Sequence, residues 1–370
     1  MSGDGAWIAP ARAALARYAF AAASIERIAQ GLINLTVRVT ATSGERYVLQ
    51  RLHPVFADSV NDNLERITRH LAQRGLTTPL LVRTRDGARS VTVEGAIWRV
   101  LTHVDGRTYD ALPGPAQSAA AGHLLGTFHR ALADFDQPLA AERPAVHDLA
   151  RHLATLERAR LMHREHVLSD EVARLADAVL ARLDAVPAFT QRPLRLVHGD
   201  PKISNVMFDP DGHAGCCLID LDTLARMPLA FELGDAMRSW CNPHAEDAGT
   251  AHFDLGLFAA AIAAYFDGAA DLPDADERAA VVPATRVICL ELAVRFLADA
   301  LEERYFAWDP LRYARRGAHN LVRARGQLAL ADSLVAQHDA ACAIVADSGR
   351  ARDSQAAAPG HPSPGGANAR

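Results

Sequence analysis

The alternation of apolar and polar side chains predicts a strand-rich segment from about residue 25 to residue 101. Two turn signals, Ser43-Gly44 and Asp86-Gly87, each lie between a pair of alternating runs, so each predicts a β-hairpin. Strands are predicted at residues 33–40, 46–52, 82–85, 90–93 and 96–104. A helix is predicted between the two hairpins, at residues 61–73, because apolar residues recur there on one face.

Beyond Asp105-Gly106 the apolar spacing becomes mainly helical. Helices are predicted at residues 115–132, 147–160, 169–186, 253–266 and 283–301. One strand–loop–strand segment, residues 194–219, interrupts them. The alanine-rich start, residues 1–30, predicts an amphipathic helix. It does not predict a secretion signal, because an acidic residue comes first and arginines interrupt the apolar run.

These patterns predict an α+β protein with two lobes, one small and β-rich and one larger and helical. The predicted divisions are a β-rich N-terminal lobe at residues 1–101, a hinge at 102–107 and a helical C-terminal lobe at 108–346. Residues 347–370 are rich in Pro, Gly, Ser and Ala, which cannot build a core, so they predict a disordered tail.

Composition excludes several classes of protein. The 370 residues carry 39 basic and 44 acidic side chains, a net charge of −5, which disfavours nucleic acid as the main partner. The five cysteines form no Cys-x-x-Cys pair and suit a reducing compartment. The longest apolar run, residues 255–266, is too short to span a bilayer. We therefore expect a cytoplasmic protein without a membrane partner; the sequence leaves its oligomeric state open.

Three polar residues stand at fixed spacing between apolar segments. Asp200 follows His198-Gly199, Asn205 lies five residues later, and Asp220 follows an apolar strand. Phosphoryl transfer needs a carboxylate to accept the attacking hydroxyl's proton and oxygen ligands to hold Mg²⁺ against nucleotide phosphates. Asp200 suits the base, and Asn205 and Asp220 suit the metal. Each motif alone is common turn chemistry, whereas the ordered combination favours catalysis.

The combination of His-Gly-Asp-x-x-x-x-Asn with Ile-Asp-x-Asp resembles the aminoglycoside phosphotransferase and choline kinase family, which has the protein-kinase-like fold. The resemblance covers about residues 25 to 335. Within this group the chain looks most like the N-acetylhexosamine 1-kinases. The segments that carry this finer resemblance are residues 31–34, 47–52, 200–202, 219–223, 234–238, 295–299 and 319–325.

The resemblance implies ATP and Mg²⁺ as cofactors and assigns a role to each matching residue. It makes Asp200 the base, with Lys202 neutralising the transferred phosphoryl group. Residues implied to hold metal are Asn205, Asp220 and Asp222, the last as a ligand or as a residue that orders the loop. Residues implied to bind nucleotide include Gly31, Asn34 and Thr36 of a phosphate-covering loop and His103 and Val104 of the hinge. Residues implied to bind the acceptor are Arg295 and Tyr305, with Asp235 as a substrate contact or a brace.

The chain departs from the family in one respect. Lys202 is its only lysine, so the lysine that meets the phosphates from the small lobe is absent. Gln50 occupies that position and Arg51 follows it; on a strand the two point to opposite faces, so only one can reach the phosphates. Position favours Gln50 and charge favours Arg51. Glu65 on the following helix is the candidate partner for either, or else a solvated surface residue.

The expected function is an ATP- and Mg²⁺-dependent kinase of a small-molecule hydroxyl, above all the anomeric hydroxyl of a sugar such as an N-acetylhexosamine. Phosphorylation of choline, ethanolamine or an aminoglycoside is the first alternative, although Arg295 fits a neutral acceptor better than a cation. A nucleotide-binding regulator without turnover is the second, and its only support is the missing lysine.

Overall fold

The computed structural model describes residues 5–28, 34–140, 146–244 and 250–357. Within these ranges the chain forms a small β-rich lobe and a larger helical lobe, as the sequence predicts. The elements of the small lobe are α1 (Ile8–Leu15), β1 (Ala22–Ile28), β2 (Leu35–Ala41), β3 (Arg46–Arg51), α2 (Val60–Gln73), β4 (Leu81–Val82), β5 (Val91–Val93) and β6 (Ala96–Thr102).

The small lobe is built on one antiparallel sheet with the strand order β1-β2-β3-β6-β4. β5 also pairs with β6, so β4 and β5 occupy successive parts of one edge of that strand. The prediction that they form a hairpin with each other is therefore wrong. The tight turn at Asp86-Gly87 is present, with Gly87 N–H donating to Thr84 O at 3.0 Å. Pairing with the longer β6 prevails over pairing across the turn.

The alanine-rich start forms a much shorter helix than predicted. α1 ends at Leu15, and β1 then pairs with β2 along its length. Ala11, Ala14 and Leu15 are buried against the small-lobe core, which includes Trp98. The residues of β1 have no strong strand propensity, so it is the exposed edge of β2 that sets their conformation.

The large lobe is organised around one buried helix, α9. Its elements are α3 (Pro115–Leu132), α4 (Leu149–Met162), α5 (Ser169–Asp184), β7 (Leu194–Val197), β8 (Val206–Phe208), β9 (Gly215–Leu218), β10 (Ala225–Pro228), α6 (Leu229–Trp240), α7 (Leu255–Ala269), α8 (Ala275–Ala279), α9 (Val281–Glu302), α10 (Arg316–Ala336) and α11 (His338–Ala357). Helices α4, α5, α6 and α10 all pack against α9, and most of its side chains are buried. This helix therefore forms the centre of the large lobe.

The C-terminal helix continues beyond the predicted end of the ordered chain. α11 reaches Ala357, so residues 347–357, predicted to be disordered, are helical. The helix docks on α7 and α8, with Ala341 and Val345 buried in the core, and alanine-rich sequence readily extends a helix that is already docked. Residues 358–370 lie outside the described residues.

Helices that could cross a membrane were also sought in the described part of the chain. No single helix there is both long enough and apolar enough. One pair, Arg316–Ala336 with His338–Ala351, reaches the required length and composition only when taken together across a 71° bend.

The hinge and helix α2 are two of the places where the lobes contact each other. The hinge residue Arg107 exchanges two backbone hydrogen bonds with Phe208 at the end of β8, at 3.0 and 2.8 Å. Gly106 allows this approach, since a Cβ there would lie 2.1 Å from Phe208 O. Leu64 and Ile67 of α2 belong to the large-lobe core, not to the core beneath the sheet. The position of α2 is thus fixed by the large lobe.

Candidate active site

The His-Gly-Asp segment is a loop whose backbone is fixed on both sides. Gly199 has a φ of +85°, a left-handed backbone conformation that favours glycine, and a Cβ there would lie 2.2 Å from Thr223 O. His198 Nε2 lies 2.9 Å from Ile219 O, which joins this loop to the Ile-Asp-x-Asp segment. The histidine of the motif thus holds two loops together, and the glycine lets them touch.

Helix α6 supports the loop from below. The buried carboxylate of Glu232 accepts the backbone N–H groups of His198 at 3.0 Å and Gly199 at 2.9 Å. Further along, Ser239 Oγ accepts from Ile203 N–H at 2.9 Å, and Trp240 Nε1 donates to Pro201 O at 2.8 Å. Sequence analysis missed Glu232. A glutamate among the apolar residues of a buried helix is a signal that could have marked it.

Asp200 lies at the centre of a group of polar side chains. Lys202 Nζ is 2.5 Å from Asp200 Oδ2, and Asn205 Nδ2 donates to Asp200 O at 2.8 Å. Burial opposes the charge of Lys202, but Asp200 and Asp220 together raise its pKa well above its usual value. The lysine therefore stays protonated beside a carboxylate, an arrangement able to accept a proton and to attract a phosphoryl group.

The β8–β9 hairpin brings Asn205 and Asp220 together. Asn205 immediately precedes β8, Asp220 follows the end of β9, and Ile219 N–H donates to Asn205 O at 3.0 Å. Asp220 has a left-handed backbone with φ of 63°, unusual for a residue other than glycine. Burial, together with the charge of Asp222, raises the pKa of Asp220 to about 6. This excess of buried negative charge would be relieved by a cation.

The donor atoms fit a magnesium ion that is shared with a nucleotide. The described residues hold no group of three or more His, Cys, Asp or Glu side chains able to bind a metal by themselves. Mg²⁺ needs only one or two carboxylates when phosphates and water complete its shell. Because Asn205 uses its amide nitrogen on Asp200, its amide oxygen is the atom of this side chain that could bind a metal.

Asp222 has partners other than a metal. Its two oxygens accept from Arg99 at 2.6 and 2.8 Å, and Oδ2 also accepts from Asn34 Nδ2 at 2.8 Å. The side chains of Arg99 and Asp222 are 1% and 0% exposed. These three hydrogen bonds support the second role considered for Asp222, ordering the loop. Its role as a metal ligand stays a prediction.

On the small-lobe sheet, Gln50 faces the large lobe and Arg51 does not. Thr36 is paired with Gln50 and Gln50 with Arg99, so the three lie in one row on one face. Gln50 Oε1 accepts from Arg99 Nη2 at 2.7 Å. Arg51 is exposed on the opposite face, 6.0 Å from the centre of the Trp98 ring. Sequence analysis missed Arg99, because it could not show which strand lies beside β3.

Glu65 does not partner Gln50 or Arg51, and it is not a solvated surface residue either. Its buried carboxylate binds three arginines: Arg83 at 2.7 Å, Arg89 at 2.6 Å and Arg69 at 2.8 Å. Burial would raise the pKa of Glu65, but these arginines lower it below its ordinary value. The predicted pairing is wrong because α2 turns this residue towards the β4–β5 segment.

The remaining nucleotide-binding predictions fall at the edge of the site. Gly31 lies outside the described residues. Asn34 binds Asp222 and accepts from His53 N–H at 2.9 Å, which places the end of its loop against the large lobe. His103 and Val104 follow β6 in the hinge, where adenine contacts are expected. Their role stays a prediction.

A cavity of about 720 Å³ lies between α2, α4 and α9, next to the Asp222 loop. Both residues predicted to bind the acceptor, Arg295 and Tyr305, line it. The Arg295 guanidinium lies 5.7 Å from the centre of the Phe306 ring. Tyr305 is 57% exposed, and its backbone N–H donates to Asp299 at 2.7 Å. The volume is suitable for a small organic molecule.

Asp235 and His147 lie between the catalytic loop and this cavity. Arg238 donates to Asp235 Oδ1 at 2.9 and 2.8 Å, so Asp235 is braced by its own helix. Burial would raise the pKa of Asp235, but Arg238, His147 and Lys202 lower it. His147, which sequence analysis missed, has Nδ1 at 2.9 Å from Glu291 Oε1. Its buried Nε2 has no hydrogen-bond partner among the described residues.

The two-lobed fold, with this cluster of polar side chains in the large lobe, is that of a kinase-like phosphotransferase. The family model "APH: Phosphotransferase enzyme family" matches residues 24–278, more than half of the chain. The protein therefore belongs to the APH phosphotransferase family, and it is an enzyme that transfers a phosphoryl group to an alcohol group of a small molecule.

Curated relatives are similar at low identity. A homoserine kinase of Rhodopseudomonas palustris (strain HaA2) is 27% identical over 302 residues, covering 79% of this chain and 86% of the relative. A homoserine kinase of Zymomonas mobilis subsp. mobilis is 26% identical over 224 residues, 59% of this chain; the match spans 65% of that relative's length. Their names refer to an amino acid acceptor, so they do not show the finer resemblance to N-acetylhexosamine 1-kinases.

Solved structures share the fold. A microcompartment-associated aminopropanol kinase has a TM-score of 0.61 and 17% identity, and the match covers 89% of this chain and 98% of that one. An amicoumacin kinase in complex with AMP-PNP, Ca²⁺ and its antibiotic has a TM-score of 0.59 and 15% identity, covering 85% and 90%. At these identities the likeness concerns the fold alone.

The His147–Glu291 contact predicts a pH dependence of stability. Burial alone would lower the pKa of His147, but the hydrogen bond to Glu291 and the charge of Asp235 raise it above its ordinary value. A raised pKa in the folded state stabilises the protein below about pH 6.5, and this contribution is lost as the pH rises through the folded pKa. Replacing His147→Gln should therefore cost more free energy of unfolding at pH 6 than at pH 9.

Urea unfolding at the two pH values measures this difference. His213→Gln, at an exposed position in the β8–β9 turn, is the matched control and should cost little at either pH. An equal cost of His147→Gln at pH 6 and pH 9 would contradict a raised pKa of His147 in the folded state.

Proposed function

We propose that the protein is an ATP- and Mg²⁺-dependent kinase of the anomeric hydroxyl of a sugar such as an N-acetylhexosamine, which yields a sugar 1-phosphate. Asp200 accepts the proton of the acceptor hydroxyl as its oxygen bonds to the γ-phosphorus and ADP leaves. Lys202 offsets the negative charge of the transferred group. Asn205 and Asp220 hold Mg²⁺, which when bound supplies neutralisation of the phosphate charge.

The charge of the cavity supports a neutral or anionic acceptor. Two of its acidic lining residues are in ion pairs, Asp222 with Arg99 and Glu302 with Arg304 at 2.8 Å, and Asp299 accepts from the backbone N–H groups of residues 304–306. In the part of the chain that the structure describes, Arg295 has no carboxylate partner. A guanidinium that is not held in an ion pair disfavours choline, ethanolamine and aminoglycosides beside it, because these acceptors are cations.

The sugar proposal depends on the position of the Arg295 guanidinium in the cavity. Its guanidinium is held over the Phe306 ring, so its planar set of donors is oriented towards the cavity with little loss of side-chain freedom. Tyr305 next to it offers an aromatic face and a hydroxyl. Oriented donors beside an aromatic ring suit a molecule that carries hydroxyl and carbonyl oxygens on an apolar ring.

A hydroxy amino acid such as homoserine is the second candidate. The curated relatives named above are homoserine kinases. The same free guanidinium of Arg295 would form a bidentate pair with a carboxylate. The two candidates therefore share one binding group and differ in the product, a sugar 1-phosphate or a phosphate ester of the amino acid.

Release of ADP from Mg-ATP in the presence of N-acetylhexosamines, hexoses, homoserine, choline, ethanolamine and aminoglycosides tests the proposal, with ³¹P NMR of any product. The expected result is turnover with a sugar and a phosphate on the anomeric carbon. Turnover with homoserine alone would establish the second candidate. Turnover with a cation alone would contradict both.

Two variants control this experiment. Asp200→Asn should still bind ATP but lose about 10²- to 10⁴-fold in kcat, the usual effect of removing a general base. Asp211→Asn, an exposed residue of the β8–β9 turn, should behave as wild type. Undiminished turnover by Asp200→Asn would exclude Asp200 as the base.

Arg295→Gln separates acceptor binding from nucleotide binding. It should raise the KM for the acceptor by about tenfold or more, since it removes a charged hydrogen-bonding group, and leave the KM for ATP unchanged. Arg286→Gln is the matched control, because Arg286 lies on the same helix but donates to the carbonyls of residues 182 and 185 instead. An equal rise in the KM for ATP would place Arg295 outside the acceptor site.

A further inference from the structure

Arg99 has every hydrogen-bond donor of its guanidinium in use. Nε and Nη2 donate to Gln50 Oε1 at 3.0 and 2.7 Å, and Nη1 donates to Asn61 Oδ1 at 3.2 Å. The remaining two donors form the bidentate pair with Asp222. The side chain is fully buried. An arginine whose five N–H groups are all taken has none left for a phosphate oxygen.

The partners of Arg99 lie on both lobes. Gln50 belongs to β3 and Asn61 to α2, whereas Asp222 belongs to the large-lobe loop that follows Asp220. The guanidinium therefore spans the cleft at the place where the sheet meets the metal-binding segment. Breaking a buried charge pair leaves an uncompensated charge, so the contact strongly resists opening of the cleft at this point.

Because Arg99 holds Asp222, the residues that contact Asp222 or lie next to it in the chain are held as well. Asn34, at the end of the segment predicted to cover the phosphates, donates to the same carboxylate. Asp220 lies two residues before Asp222, and Thr223 Oγ1 donates to His198 O at 2.9 Å. Fixing Asp222 thus fixes Asp220 with respect to the catalytic loop and Asn34 with respect to Asp220.

We propose that Arg99 is a positioning residue that clamps the two lobes through Asp222, so that Asn34 and Asp220 are held together at one site for Mg²⁺-nucleotide. Arg99 places a cation of the small lobe at the cleft, in a chain whose only lysine, Lys202, lies in the large lobe. It acts through Asp222 and not on the phosphates. This inference rests on the proposed use of Mg-ATP and is independent of the acceptor.

Equilibrium binding of ATP with and without Mg²⁺ tests the clamp without any turnover. In the wild type, Mg²⁺ should tighten ATP binding because Asp220 is in place. Arg99→Lys keeps the charge but cannot form the bidentate pair, and it should reduce this Mg²⁺-dependent gain by about tenfold while metal-free ATP binding changes little. Asp222→Asn should show the same loss, and the double variant should be no worse than either single variant.

Two further variants separate positioning from stability. Asn34→Ala leaves the Arg99–Asp222 pair intact and should lose a smaller part of the Mg²⁺-dependent gain. Arg83→Lys, which weakens the ion pair with the buried Glu65 inside the small lobe, should lower urea stability and leave the gain unchanged.

Four results would overturn the inference. Arg99→Lys could lower stability and keep the full Mg²⁺-dependent gain, which would make the pair structural only. Equal weakening of ATP binding by Arg99→Lys with and without Mg²⁺ would indicate that Arg99 contacts the phosphates directly. Additive losses in the double variant would show that Arg99 and Asp222 act separately. A wild type that binds no Mg-ATP would overturn the proposed function as well, whereas the other outcomes leave that function standing.

Discussion

The buried ion pair between Arg99 and Asp222 constrains the site more than any other contact described above. Two charges taken out of water are costly unless each is fully hydrogen-bonded, and here both are. Gln50, Asn61 and Asn34 complete the two groups, so five side chains from the sheet, α2 and the large-lobe loop must take up one arrangement together. The separation of the lobes at the cleft is set by this requirement.

Below the ion pair, the catalytic loop depends on α6. Glu232 replaces water as the acceptor for two backbone N–H groups, and the left-handed Gly199 lets the loop approach Thr223. Side chains held in this way lose little freedom when a reaction begins. Asp200, Lys202 and Asn205 are therefore positioned by the backbone around them, as a reaction that relies on positioning and charge neutralisation requires.

The sequence predicted best what is local in the chain. Asn205 and Asp220 flank one short hairpin, so their spacing alone indicates that they meet. Contacts between residues far apart in the sequence could not be predicted in this way. Whether Gln50 or Arg51 faces the cleft depends on the partner strand β6, and the arginine that binds Asp222 lies 123 residues away in the sequence. Glu65 was predicted to partner Gln50 or Arg51, because its pairing with Arg83 and Arg89 depends on how α2 packs against the β4–β5 segment.

Errors in the elements have a similar origin. The start of the chain and residues 347–357 have compositions without a strong preference, and packing against β2, α7 and α8 decides their structure. β4 and β5 carry a good turn between them, yet the edge of β6 offers both strands a better partner. In each case a tertiary contact prevailed over a local signal.

The central claim is that Asp220 and Asn205 receive the metal while Asp222 remains bound to Arg99. A crystal structure with Mn²⁺ and a non-hydrolysable ATP analogue, using the anomalous signal of manganese, tests this most directly. The account predicts a metal peak within about 2.5 Å of Asp220 and of the Asn205 amide oxygen, with the Arg99–Asp222 pair intact. A metal ion bound by Asp222, with Arg99 turned onto the phosphates, would contradict it.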